Sequence, residues 1–332
     1  IGRKMNLTNH RLKKLVLAAL IHDLGVFYLN KHFSDLSFDK RSNKHAEIGY
    51  NLLNKYFPEP EISEIIFYHH HNWEENQSTI PACSHILHLA DRIAVVIKSE
   101  NDILNQVDHI NKLIKKNSGS RFWPKAVDKY LEISEHEYFW LDVISNTRIE
   151  KNIDDFFHPN SWTISWDQVL DISHLTSHII DFRSSFTATH SQGIATTASM
   201  LAKYSGFSEL DCKKMKIAAY LHDIGKLIVP PKILNKTKKL NKEEWNLMKS
   251  HAYYTYQALS TAQNLDEIKK WAAYHHEKLN GQGYPFHLQE KEIPRGARIM
   301  AVADIFTAIT EDRPYRKGMN NDEVKIVLNK MA

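Results

Sequence analysis

The sequence predicts an all-α protein built from two tandem copies of one helical domain. Glycine and proline are sparse, with 11 and 10 among 332 residues, and strict apolar–polar alternation is rare while apolar residues recur at helical spacing. The second observation is internal repetition. Leu17-Ala18-Ala19-Leu20-Ile21-His22-Asp23-Leu24-Gly25 matches Ile217-Ala218-Ala219-Tyr220-Leu221-His222-Asp223-Ile224-Gly225. His45-Ala46 is then followed by an apolar helix, as His251-Ala252 is, and Tyr68-His69-His70 mirrors Tyr274-His275-His276. Last, His88-Leu89-Ala90-Asp91 parallels Ala301-Val302-Ala303-Asp304. Four landmarks in one order point to duplication rather than chance.

Composition narrows the class. An apolar fraction of 42% and a charged fraction of 25% are ordinary for a folded globular chain, and no apolar run approaches the roughly 18 residues of a membrane helix. Membrane insertion is therefore not expected. A net charge of +4 with scattered lysines does not indicate duplex nucleic acid as a partner. Two cysteines, Cys83 and Cys212, exclude a disulfide framework and a thiolate zinc site, and fit a reducing, cytoplasmic setting. No signal or transit pattern is visible, and a chain that starts at Ile1 reads as a fragment. Histidine is the unusual residue: 20 are present, so a metal site here would use imidazole and carboxylate ligands.

The expected organisation is a first helical domain over 1–116, a linker and interdomain helical section over 117–166, and a second helical domain over 167–332. Lys115-Lys116-Asn117-Ser118-Gly119-Ser120 reads as the linker, followed by an aromatic-rich stretch from Phe122 to about Trp166. In the second copy His190, Ile194, Ala198 and Leu201 share a helical face, and Gly206 marks its stop. Met215, Ala218 and Leu221 lead to His222-Asp223 near the end of a buried helix, with Gly225 ending it. Asn241 and Glu244 form a capping box for the helix that carries His251. Ile268, Ala272 and His275 share a face, as do Ala297, Met300 and Asp304. The adjacent pair His275-His276 cannot point in one helical direction, so both serve one centre only at a helix end or through a slight distortion of the helix.

A polar centre inside an apolar bundle follows, with His190, His222, Asp223, His251, His275, His276 and Asp304 as candidates. Seven ligands exceed what one ion takes. Two divalent ions, bridged by a carboxylate and a water-derived hydroxide, are the economical arrangement, with Asp223 the best-placed bridge. Such a pair suits phosphate-ester hydrolysis, and Lys226, one turn on, is placed to neutralise phosphate charge.

The run His275-His276-Glu277-Lys278-Leu279-Asn280-Gly281-Gln282-Gly283-Tyr284-Pro285, with His222-Asp223 and Lys226 before it and Arg313-Pro314-Tyr315-Arg316 after it, closely resembles the HD-GYP domain. The resemblance covers roughly Phe186 to the chain end. It implies two tandem HD-type helical bundles, the second catalytic, with two divalent ions, often iron or manganese. It also implies hydrolysis of a cyclic dinucleotide, cyclic di-GMP or 3′,3′-cyclic GMP-AMP, to the linear dinucleotide and onward to mononucleotides. By that resemblance His190, His222, Asp223 and Asp304 hold one ion, and Asp223, His251, His275 and His276 the other. Lys226 assists phosphoryl transfer, while Tyr284, Arg313 and Arg316 contact substrate.

Departures qualify the match. Phe186 stands where members with three ions carry a glutamate, so two ions are expected. Asn280 and Thr307 replace residues associated with the base, which leaves base selectivity open. The first copy keeps His22, Asp23, His45, His69, His70 and Asp91, but Val26 replaces the lysine and the Gly-Tyr-Pro loop is missing. It is expected to lack the main activity while keeping a ligand set able to bind metal, with packing, homodimerisation or regulation of the second copy as its roles. The alternatives are a catalytically idle dinucleotide- or metal-sensing module, and a general HD nucleotidase.

Overall fold

Helices are the only regular elements longer than an isolated bridge among the described residues of the computed structural model, which are 1–29, 43–57, 59–75, 79–98, 102–157, 164–183, 190–311 and 317–331. They form two compact units, Ile1–Thr163 and Ile164–Ala332. The all-α expectation is met in both.

The first unit contains α1 (Asn9–Ile21), α2 (Asn43–Tyr56), α3 (Pro60–Phe67), α4 (Ala82–Val96), α5 (Val107–Lys116), α6 (Pro124–Ser134), α7 (Glu137–Val143) and α8 (Asn146–Phe156). Thr8 caps α1 by accepting from Arg11 N, and Pro60 begins α3 where a missing N–H matters least. Helix α3 packs on both α1 and α2, and α4 packs on α1 and α3, around Ala18, Ala46, Ile62, Ile66 and Leu89. The section expected as linker and interdomain helices consists of α6, α7 and α8. Helix α6 packs on α4 and α5, Trp123 stacks on Trp73, and buried Trp140 donates to Ser134 O at 2.9 Å.

The second unit contains α9 (Trp166–Arg183), α10 (His190–Tyr204), α11 (Glu209–Leu221), α12 (Pro231–Leu234), α13 (Lys242–Ser260), α14 (Asp266–Ala273), α15 (Arg295–Thr310) and α16 (Asn321–Met331). Their boundaries follow local chemistry. Helix α10 ends at Tyr204, and Gly206 takes φ +81° to turn the chain away. Ser208 caps α11, and Asn241 with Glu244 makes the capping box of α13. Helix α10 packs on α11 and α15, while α11 also packs on α9 and α14. Ile194, Ala198, Met215, Ala218, Ala272, Met300 and Ala303 fill that contact. The alanines let helix axes approach closely, which brings side chains at the helix ends to one place.

Gly225 differs from its expected role. Helix α11 has already ended at Leu221, and Gly225 lies in the 3-10 turn Ile224–Ile228. A Cβ there would sit 1.9 Å from His251 O and 2.8 Å from Thr255 N. Glycine is required because the turn presses against the backbone of α13. Gly225 N donates to Thr255 Oγ1 (3.1 Å), which donates on to His222 O (2.9 Å), so the turn and α13 are pinned together. Gly25 repeats the approach, with a Cβ 2.0 Å from His45 O.

Gly225→Ala is expected to destabilise the protein by about 3 kcal/mol, since a rigid backbone would have to move. Urea denaturation of the metal-free chain measures it. A loss no greater than that of an exposed Ser260→Ala control would show that the approach is not a constraint.

Candidate metal centre

The polar centre is built by short backbone-to-ring hydrogen bonds. His222 Nδ1 donates to Ala219 O (2.8 Å), His251 Nδ1 to Met248 O (2.6 Å), and His275 Nδ1 to Ala272 O (2.6 Å). Each ring is thereby held by a carbonyl three residues back, one turn of its own helix. With the proton on Nδ1, the Nε2 lone pair faces the centre, the tautomer a metal ligand needs. His251 Nε2 is fully buried and has no hydrogen-bond partner. Helix α14 stops at Ala273, and His275 and His276 sit in the turn beyond it. Their rings lie 3.9 Å apart, centroid to centroid, which a regular helix would not permit.

All seven expected ligands meet in one cluster. The ligand atoms of His190, His222 and Asp304 lie within 4.8 Å of one another, as do those of His222, Asp223 and His275, and those of His251, His275 and His276. The sets share His222 and His275, so the donors form a continuous elongated centre. Asp223 stands in the middle: Oδ2 is 3.1 Å from His222 Nε2, and Oδ1 is 3.5 Å from His251 Nε2. Lys226 Nζ also donates to Asp223 Oδ2. Imidazole nitrogens, the orphaned Nε2 of His251 among them, converging on two carboxylates fit divalent ions of the first transition series, and the count of donors suits a pair.

Burial and charge set the protonation states. Burial, reinforced by the neighbouring His276 and His222, keeps His275 neutral far below the usual imidazole range. His276 is pushed down to about 4 by burial and then by His251. Asp223 and Asp304 stay ionised despite burial, because His222 and Lys226 face the first and His190 the second. For His190 burial alone would depress the imidazolium, but Asp304 and Glu311 outweigh it and raise its pKa to about 9.

The loop after His276 is organised by a carboxylate. Glu277, buried to 7% exposure, accepts from Phe286 N (2.7 Å) and Leu288 N (3.0 Å) and so closes the loop on its own base. Tyr284 N donates to His276 O (3.2 Å), and the Tyr284 ring lies 4.7 Å from that of His276. The Tyr284-Pro285 bond is cis. Tyr284 therefore borders the ligand cluster. Arg313, Arg316 and Phe186 lie outside the described residues.

Sequence reasoning missed the residues that hold the ligands. Glu311 Oε2 accepts from His190 Nδ1 at 2.8 Å, the only ring in the cluster oriented by a carboxylate rather than its own helix among the described residues. Asp181 accepts from Ser191 Oγ (2.7 Å) and Ser191 N (3.3 Å), capping the first turn of α10 beside His190. Neither belongs to a motif, and 121 positions separate His190 from Glu311. Thr255, four residues after His251, was equally silent.

Family comparison agrees with the repeat. A profile described as an HD domain matches residues 174–332, and another HD domain profile matches residues 1–95. The 3′3′-cGAMP-specific phosphodiesterase 1 of Vibrio cholerae is 29% identical over 341 residues, covering 95% of this chain and 77% of that protein. The 3′3′-cGAMP-specific phosphodiesterase 3 of the same organism is 33% identical over 250 residues, covering 75% of this chain and 53% of that protein. A crystal structure of a cyclic GMP-AMP specific phosphodiesterase from V. cholerae has a TM-score of 0.67 at 22% identity. It covers 100% of this chain and 85% of that one, a likeness of fold.

In the metal-free protein, His190 has a folded pKa of about 9, above its ordinary 6.5. Its ion pairs with Asp304 and Glu311 thus contribute stability that is complete below pH 6.5 and lost as pH rises through 9. Chemical denaturation at pH 6.5 and 9.5 should show this loss, and Glu311→Gln should shrink it. Equal pH dependence in the two proteins would refute the role given to Glu311.

Proposed function

We propose that this chain, which belongs to the HD domain family and carries an HD-GYP domain in its second half, is a metal-dependent phosphodiesterase that opens a cyclic dinucleotide second messenger. The observation that carries this reading is the convergence of His190, His222, Asp223, His251, His275, His276 and Asp304 beside the Tyr284 loop. The favoured substrates are 3′,3′-cyclic GMP-AMP and cyclic di-GMP. Two relatives whose matches cover 95% and 75% of this chain are named for the first, and Xanthomonas and Vibrio relatives whose matches cover 43% and 33% of it are named for the second. The reading includes two ions, iron or manganese, and a cytoplasmic site of action. No described helix is long and apolar enough to cross a membrane.

Bound ions would supply charge neutralisation for the phosphodiester and lower the pKa of water near it. The chain's own residues do the rest. The rings of His222, His251 and His275 are fixed through Nδ1 with Nε2 towards the centre, so little reorganisation would accompany binding. Asp223, held ionised between His222 and His251, is the group able to share both halves of the centre. Lys226 brings an ammonium to the same carboxylate and stands where charge develops on phosphate oxygen. Tyr284 offers a ring face at the rim against which a base can stack. Burial of most of the cluster limits water to the open side.

Incubation with iron(II) or manganese(II) and either dinucleotide, with products resolved by chromatography, tests the proposal. Turnover of at least one is expected, and metal-loaded protein that binds both and cleaves neither would replace this reading with that of a sensing module. Asp223→Ala is expected to abolish turnover and Asp23→Ala only to modulate it; the reverse would transfer the chemistry to the first unit. Lys226→Met should lower kcat by about 100-fold or more with metal content unchanged, and an unaltered kcat would remove Lys226 from the chemistry.

A further inference from the structure

The proposed reaction gives one aromatic surface, Tyr284, to a substrate that has two bases. The inner side of that ring is already occupied, since it lies 4.7 Å from His276 at a tilt of 36°. One face of Tyr284 remains, enough for one purine. The other base needs a surface of its own.

Trp245 stands next in the row. Its indole is 6.3 Å from the Tyr284 ring, centroid to centroid, at 78° to it, so His276, Tyr284 and Trp245 lead in sequence away from the ligand cluster. The indole is 46% exposed. It belongs to the first turns of α13, six residues before His251, or about 9 Å along the helix axis at 1.5 Å per residue. A base reaching outward from a phosphate at the centre covers a distance of that order.

The support beneath Trp245 is fixed. Trp245 N donates to Asn241 O (2.9 Å), the capping box of Asn241 and Glu244 closes the same turn, and Lys236 Nζ donates to Glu244 Oε1 (2.6 Å). A preset backbone lowers the cost of ordering the ring on binding. Charge favours the same ligand. From Lys226 to Lys242 the chain carries six lysines and no carboxylate; Lys232, Lys238, Lys239 and Lys242 are exposed, and α12, within this stretch, packs on α13. A basic flank beside an aromatic face is the combination that holds bases together with their phosphates.

We propose that Trp245 is the stacking surface for the second base of the cyclic dinucleotide, an assignment that rests on the functional reading above. The substrate lies across the mouth with one base on Tyr284 and the other on the indole, and the two rings together select a diester that carries two bases over one that carries none.

The test compares kcat/KM of the manganese-loaded full chain for the better dinucleotide with that for methyl p-nitrophenyl phosphate, a diester without a base. Trp245→Ala is expected to lower the ratio of the two by about tenfold or more, chiefly through KM for the dinucleotide, and Trp245→Phe to recover most of it. Where Trp245→Ala fails to fold, Trp245→Leu, which keeps an apolar contact with Tyr284 but has no ring face, gives the same comparison. In a Tyr284→Ala background, Trp245→Ala should lower the ratio again by a similar factor, because each ring holds its own base. A ratio within twofold of the parent, or no further loss in the Tyr284→Ala background, overturns the assignment and leaves the phosphodiesterase reading standing. Parent protein that cleaves neither dinucleotide overturns that reading and the assignment with it.

Discussion

The structure depends on one constraint: imidazole rings buried within the helical bundle must be satisfied on one nitrogen by their own helix. His222, His251 and His275 all spend Nδ1 on a carbonyl three residues back, and His22 and His69 do the same in the first unit. His222 and His275 lie just past the ends of α11 and α14, where carbonyls lack intrahelical partners, and so cap those helices, whereas His251 lies within α13 and uses a carbonyl of its own turn. In each case one hydrogen bond settles ring orientation and tautomer together.

The second determinant is how near the backbones can come. The 3-10 turn bearing Asp223 lies against α13 with Gly225 facing His251 O, and Thr255 bridges the two elements. In the first unit Gly49 occupies the position equivalent to Thr255, and that bridge is lacking while the glycine contact persists. Close packing is thus common to both copies, whereas the pinning hydroxyl belongs to the second. The same holds at the far carboxylate, which meets His190 in one unit and Arg92 in the other.

Much of this was legible in the sequence, for identifiable reasons. Helix class and the ligand set follow from periodicity and from repeated landmarks, because a polar residue on an inward face is conspicuous. The helix end needed for His275 and His276 was also foreseen, since two neighbours cannot share a helical direction. What escaped was everything set by tertiary approach. Glu311 orients His190 across most of the second unit, and Asp181 caps a helix through Ser191, ten residues later. Gly225 looked like a helix stop because glycine serves both purposes, and only the distance to His251 O separates them. The aromatic section after residue 117 carried no signal for its partners, which Trp73 and His88 supply within the first unit.

The Tyr284 loop leaves the ligand scaffold at Glu277 and is fastened back to Glu277 at Phe286 and Leu288. Entry and exit are therefore neighbours in space, and the excursion between them is self-contained. Such a loop behaves as a cassette: it can lengthen, shorten or change its tip without moving His275 or His276. The first unit, which runs from His70 to Pro81 without it, retains the histidine geometry intact. Ligand scaffold and substrate mouth are separable modules, free to diverge at different speeds after a duplication.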